Sequence, residues 1–260
     1  MTADGYAIVM ADGHFVGIWR DQEIAERACT RQPQAHGDRV VPMYFSSNKE
    51  MQMNGLVLPL PAAIQPFAIG APMEGGFFIG QIMLPDGPWG IVKAPKALGD
   101  FADMEWGPRS PVPGALNLAD GRANTLAMAA AGSELAKRIL DLRIEGKDDW
   151  YLPALDELEI AYRACKPGVT KNYMWARSGI NLHSNPPSLP YTADDPAQTA
   201  AEIFRKGSAE CFEEDAVYWT STQYAIGSGY AWFQTFDYGN QSYWRKDDMY
   251  RGCAVRRFKI

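Results

Sequence analysis

Tyr218-Trp219-Thr220-Ser221-Thr222-Gln223-Tyr224, then Ala231-Trp232-Phe233-Gln234-Thr235-Phe236-Asp237-Tyr238-Gly239-Asn240-Gln241-Ser242-Tyr243-Trp244-Arg245-Lys246, then Cys253-Ala254-Val255-Arg256-Arg257-Phe258 carry the reading that decides the fold. Tyr and Trp set among Gly, Asn and Ser give rigid contact area and adaptable hydrogen bonding, as on a recognition surface. The same aromatics are good strand formers with one face in a core. Strand alternation sorts them into Trp232, Gln234 and Phe236 on one face and Phe233, Thr235 and Asp237 on the other.

Around that stretch, composition narrows the classes. A chain of 260 residues can bury a core without disulfides. Its 24 Gly and 18 Pro point to a loop-rich fold with short elements. A net charge of -6 offers no basic stripe for nucleic acid, which is excluded as a partner. Cys29, Cys165, Cys211 and Cys253 show no metal or redox spacing and read as buried thiols. No secretory signal and no apolar run of membrane-spanning length is visible, so synthesis in a cytoplasm without membrane insertion is expected. No cofactor and no metal ligand set is expected: His14, His36 and His183 have no partners at ligand spacing.

Taken in order, residues 1–45 read as a small β-β-α-β unit: strands at 6–10 and 14–19 around Asp12-Gly13, a helix at 22–31 capped by Asp21, and a strand at 40–44. Residues 46–66 read as a Pro/Met-rich linker, although Met51, Met53, Leu56, Val57 and Leu58 are apolar for a free one. A larger domain spans 67–260. It opens with a hairpin, 77–84 and 89–93 around Asp86-Gly87, followed by an irregular stretch at 94–124. Met128, Gly132, Leu135, Ile139 and Leu142 then share one face of a helix expected from 124 to 142, with Gly132 marking a close neighbour. A second helix at 155–165 puts Leu155, Leu158, Tyr162 and Cys165 inward, and Asp156, Glu157 and Glu159 read as its solvated start. Residues 166–189 form a long loop, and Asp195-Pro196 with Gln198 predicts a short helix ending near Gly207.

Asp149-Trp150-Tyr151-Leu152-Pro153, Asp156-Glu157-Leu158, Tyr218-Trp219-Thr220-Ser221-Thr222, Ala231-Trp232, Phe236, Gly239, Lys246 and Val255-Arg256 together resemble the Lcl carboxy-terminal-type family of C-type-lectin-like domains. Ala123-Asn124-Thr125, the Ala-rich run 127–132 and Tyr191-Thr192-Ala193-Asp194 look like its phage-associated branch. The resemblance covers about 67–260 and implies an α+β, C-type-lectin-like fold whose final strands form an antiparallel sheet with a binding outer face. Ala154 departs from it, standing where the family has a capping Ser or Thr. The family's near-constant Trp and Phe put Trp232, Gln234 and Phe236 in the core and Phe233, Thr235 and Asp237 outside. The stretch also looks like the variable regions of retroelement-diversified phage tail proteins. The positions that vary there match Tyr224, Phe233, Thr235, Asp237, Tyr238, Asn240, Ser242, Tyr243, Trp244, Arg245, Asp247, Asp248, Met249 and Tyr250.

The resemblance implies a non-enzymatic phage or prophage tail protein that binds a bacterial surface protein or glycan through those residues. Other tail proteins are implied partners, in a homo-oligomer that would be a trimer in the virion tail. Calcium binding by Asp237, Asp247 and Asp248 is weaker than their reading as solvated turn carboxylates. Two alternatives stay open: a structural virion protein, and a formylglycine-generating-type oxidase using Cys211 and Cys253, whose surrounding pattern is missing.

Overall fold

The computed structural model describes residues 67–174 and 180–260 in full and the backbone of five strands within the first 59 residues. By their internal contacts, residues Met1–Ala63, Arg177–Leu182 and Pro186–Pro190 form one compact unit, and Ile64–Ala176, His183–Asn185 and Tyr191–Ile260 form another. The architecture is α+β.

The first unit contains β1 (Gly5–Val9), β2 (Phe15–Trp19), β3 (Arg39–Phe45), β4 (Glu50–Met53) and β5 (Leu56–Pro59), in sheet order β2-β1-β3-β4-β5. The helix expected at 22–31 lies outside the described residues. The stretch at 46–66 read as a linker instead supplies β4 and β5, paired antiparallel with Met53 opposite Leu56. The sequence between those partners is Asn54-Gly55, the dipeptide preferred in two-residue hairpins, and the apolar residues noted there are strand residues.

The second unit is built on two sheets. In one, β6 (Pro72–Met73), β7 (Gly76–Leu84), β8 (Gly87–Lys93) and β14 (Val255–Lys259) run in order β14-β8-β7-β6. In the other, β9 (Asp100–Glu105), β10 (Val217–Gln223), β11 (Tyr230–Thr235), β12 (Gln241–Arg245) and β13 (Met249–Cys253) run β12-β11-β10-β13-β9. The 94–124 stretch is therefore not wholly irregular, since Asp100–Glu105 pairs antiparallel with β13 after the single helical turn Lys96–Gly99.

The helix expected over 124–142 is two helices, α1 (Gly121–Ala130) and α2 (Glu134–Leu140). Gly132 sits between them at φ +102°, and a Cβ there would meet nothing within 4 Å, so it serves the break between the helices and marks no close neighbour. Ser133 restarts the helix: its Oγ accepts from Ala136 N–H at 3.3 Å and donates to the Trp106 carbonyl at 2.5 Å. Met128, Leu135 and Ile139 still reach one core, with Trp106, Trp150, Trp219 and Phe233. α3 (Leu155–Cys165) has the predicted bounds and buries Leu155, Leu158, Tyr162 and Cys165. The helix predicted from Asp195 is reduced to a 3₁₀ turn at Glu202–Phe204.

The carboxylates at the start of α3 are buried, where a solvated helix start was expected. Glu157 accepts from Gly121 N–H at 3.0 Å, Ala154 N–H at 2.8 Å and Tyr151 OH at 2.7 Å, with Arg257 at 3.7 Å. It satisfies orphan donors at the starts of both α1 and α3, which offsets the missing side-chain cap at Ala154. Burial pushes its carboxyl up, against the pull of Arg257 and these donors. Glu159 accepts from Arg163 at 2.5 Å, and Asp156 lies 2.6 Å from His183 Nδ1, so His183 does have a partner. Cys165, Cys211 and Cys253 are buried free thiols, and Cys29 lies outside the described residues. Among the described residues no helix is long and apolar enough to cross a membrane.

Candidate binding surface

β12 is an edge strand, paired with β11 from Gln234↔Gln241 to Tyr230↔Arg245. Residues opposite each other share a face, so Trp232 and Tyr243 point one way while Phe233, Ser242, Ala231 and Trp244 point the other. The expected orientation of β11 is corrected here: Phe233 is 8% exposed and packs edge-on against Tyr250 at 6.0 Å, within the tryptophan-rich core. Trp232, expected inside, is half-buried. Both faces of β11 are covered at its centre, so period-two alternation alone could not name the outer one. Phe236 and Gln234 are buried as expected; Phe236 stacks on Phe212 at 3.7 Å.

Two aromatic groupings result. From the middle of the ladder toward its 230/245 end, Tyr224 and Tyr243 stack face to face (3.8 Å, 11°), with Trp232 and Tyr230 edge-on to Tyr243 at 5.7 and 5.9 Å. Tyr243 is 38% exposed, and Trp244, on the opposite face, is 51% exposed. At the hairpin tip, Tyr238 meets Tyr173 edge-on at 6.2 Å. Four strand rises separate the Tyr230–Arg245 pair from Gln234–Gln241, about 13 Å. Tyr230 and Tyr173 were not singled out in the sequence. Tyr230 lies two residues from Trp232 and so on its face, whereas Tyr173 arrives from the 166–189 loop and carries no local signal.

The tip is a rigid turn. Thr235 N–H donates to the Asn240 carbonyl at 3.0 Å, and Asn240 N–H donates to Thr235 Oγ1 at 3.1 Å, so Thr235 is a buried closing residue, contrary to its expected outward role. Gly239 adopts φ +80° with the Tyr162 ring 2.5 Å from where a Cβ would stand, so any side chain there would displace α3.

At the end of β12, Arg245 forks onto Asp247 at 3.1 and 2.8 Å, which holds that carboxyl below its ordinary value. Asp237 Oδ1 and Asp248 Oδ2 are shielded from solvent without a hydrogen-bond partner among the described residues, unlike the solvated turn carboxylates expected. Met249 is exposed, whereas Tyr250 is half-buried against Trp219 at 4.7 Å. Among the described residues no group of three or more His, Cys, Asp or Glu is arranged to hold a metal.

Lys246 is the root of this region. Its side chain is fully buried, donates to Gln223 Oε1 at 2.8 Å and the Ser110 carbonyl at 3.0 Å, and lies 4.4 Å from the centre of the Trp106 ring. Desolvation lowers its pKa to about 8.

No family model matches the chain, and no curated protein matches it. A solved structure, a fimbrial protein from Bacteroides ovatus, is similar at 11% sequence identity and a TM-score of 0.38, with 98% of this chain covered. The match spans 64% of that chain's length, and a likeness this slight carries no argument about fold or function.

Proposed function

We propose that this chain is the host-recognition component of a phage or prophage tail, holding a bacterial surface protein or glycan against the β11–β12 hairpin of a C-type-lectin-like domain. The observation that carries this reading is the division of the hairpin into a buried root and an aromatic rim: Phe233, Gln234, Phe236 and Lys246 are fixed inside, while Tyr238, Tyr243 and Trp244 are more than a third exposed. Rigid, half-exposed aromatics on a braced scaffold present contact area at little entropic cost. Retroelement-type diversification fits the rim residues and not Phe233 or Thr235, whose replacement would disturb the core. Assembly as a homo-oligomer, a trimer by resemblance, belongs to the same proposal.

A structural role in the virion is favoured by one observation, the edge position of β12 among the described strands, where another strand could pair. Immunogold labelling of virions tests the main reading. Label at the tail tip supports it, label along the tail shaft favours the structural role, and unlabelled virions refute both. Cys253 is buried with its thiol pushed up to about 12, a chemically quiet setting that gives the oxidase alternative no support.

A further inference from the structure

The 166–173 loop and the tip of the β11–β12 hairpin face each other across an open cleft of about 540 Å³ lined by Thr170, Lys171, Asn172, Tyr173, Tyr238 and Asn240. Its two rings, Tyr173 and Tyr238, stand at 79° to one another and are both exposed. They form a corner with two planar apolar walls. Around that corner sit a hydroxyl, an ammonium and a carboxamide.

The corner is built in advance. Tyr173 N–H donates to the Tyr238 carbonyl at 2.9 Å, and Asn172 N–H donates to the Ala193 carbonyl at 3.0 Å. Beneath them Asn172 Oδ1 accepts from Tyr162 OH at 2.6 Å and from the buried Lys166 ammonium at 2.7 Å, while its amide donates to the carbonyls of Thr192 and Pro196 at 3.0 and 2.9 Å. These bonds hold the loop against α3 and the hairpin, so binding need not order it.

We infer that this cleft is a saccharide subsite, distinct from the Tyr224–Tyr243 stack farther along the hairpin, seating one or two neutral sugar rings. The inference rests on the surface-recognition reading of the hairpin tip. A pyranose presents an apolar C–H face that packs on a tyrosine ring and a rim of hydroxyls that need directional partners. Mostly apolar walls with a few placed polar groups, at this volume, suit a small ligand. Lys171 pairs with Asp194, so its charge is already compensated, which favours a neutral sugar over an anionic one. An extended peptide would require free backbone groups, but the N–H groups of Asn172 and Tyr173, the Tyr238 carbonyl and both backbone groups of Asn240 are engaged in holding the loop and the turn.

The test is saturation-transfer NMR and titration of the full chain with methyl glycosides of glucose, galactose, mannose and N-acetylglucosamine and with their disaccharides. Saturation of ring C–H protons is expected for at least one glycoside. Y173A should weaken its binding roughly tenfold, whereas Y173F should retain it. Thermal melts establish that each variant is folded. No glycoside binding at millimolar concentration, or equal binding by folded Y173A, overturns the inference. Adsorption of the labelled chain to bacterial cells separates this from failure of the broader reading. Adsorption that protease treatment of the cells abolishes and no glycoside competes assigns a protein ligand and overturns the saccharide subsite alone. Glycoside binding without adsorption keeps the subsite and removes the tail-recognition reading.

Discussion

Phe233 and Trp244 lie on the same face of one ladder, yet the first is 8% exposed and the second 51%. Trp219 and Tyr250, on β10 and β13 of the same sheet, flank Phe233 on the inner side, whereas Trp244 belongs to the edge strand. F233A should therefore cost about 3–5 kcal/mol in urea unfolding, while W244A should stay within about 1 kcal/mol. Similar losses for both would contradict the assignment of scaffold and rim. Lys246 supplies a second residue-scale prediction. Its folded pKa, about 8, lies below the ordinary 10.5, so between those values the unfolded chain carries a proton that the folded chain has released. Stability from this group then rises with pH across that window. Cys165 and Cys253, both raised by burial, act in the opposite sense above about 9. The clean measurement is the difference between the wild-type and K246M stability curves from pH 7 to 10: the wild-type curve should rise relative to K246M, and parallel curves would contradict the buried, desolvated lysine.

At the scale of elements, the break between α1 and α2 decides the sign of a mutation. In a continuous helix G132A would stabilise the fold by about 1 kcal/mol, because Ala is the better helix former. At φ +102° it should instead destabilise by about 1–2 kcal/mol, read by chemical denaturation. The hairpin around Asp86-Gly87 and the bounds of α3 were legible in the sequence, since turn dipeptides and apolar spacing act locally. The helix break was not, because the face Met128-Leu135-Ile139 stays in phase across Gly132 and Ser133, and periodicity cannot see a break that preserves phase. Nor could it see that Asp156 meets His183, 27 residues away, or that Glu157 reaches Gly121 at the start of α1, as those pairings depend on tertiary contacts, whereas the Glu159–Arg163 pair lies at i,i+4 on α3 and was readable. Asn54-Gly55 was a readable signal, obscured by the neighbouring prolines. In the candidate site, the residues on β12 were legible, but which face of β11 is outward was set by what covers it, and Tyr173 comes from a loop with no pattern.

For the whole molecule, the described residues of the two hydrophobic cores of the second unit run from Ile69 to Phe258. A chain spanning 64–260 should therefore unfold cooperatively by itself, and calorimetry showing no transition would contradict this. The same scale holds the functional question, because a recognition surface must fail without the fold failing. The most direct measurement is adsorption of the labelled chain to bacterial cells, comparing wild type with Y238A/Y243A/W244A at matched thermal stability. Loss of most cell binding, about 2 kcal/mol or more in affinity, is expected if these rings are the anchors. Undiminished binding by the folded triple variant would contradict recognition through the β11–β12 hairpin.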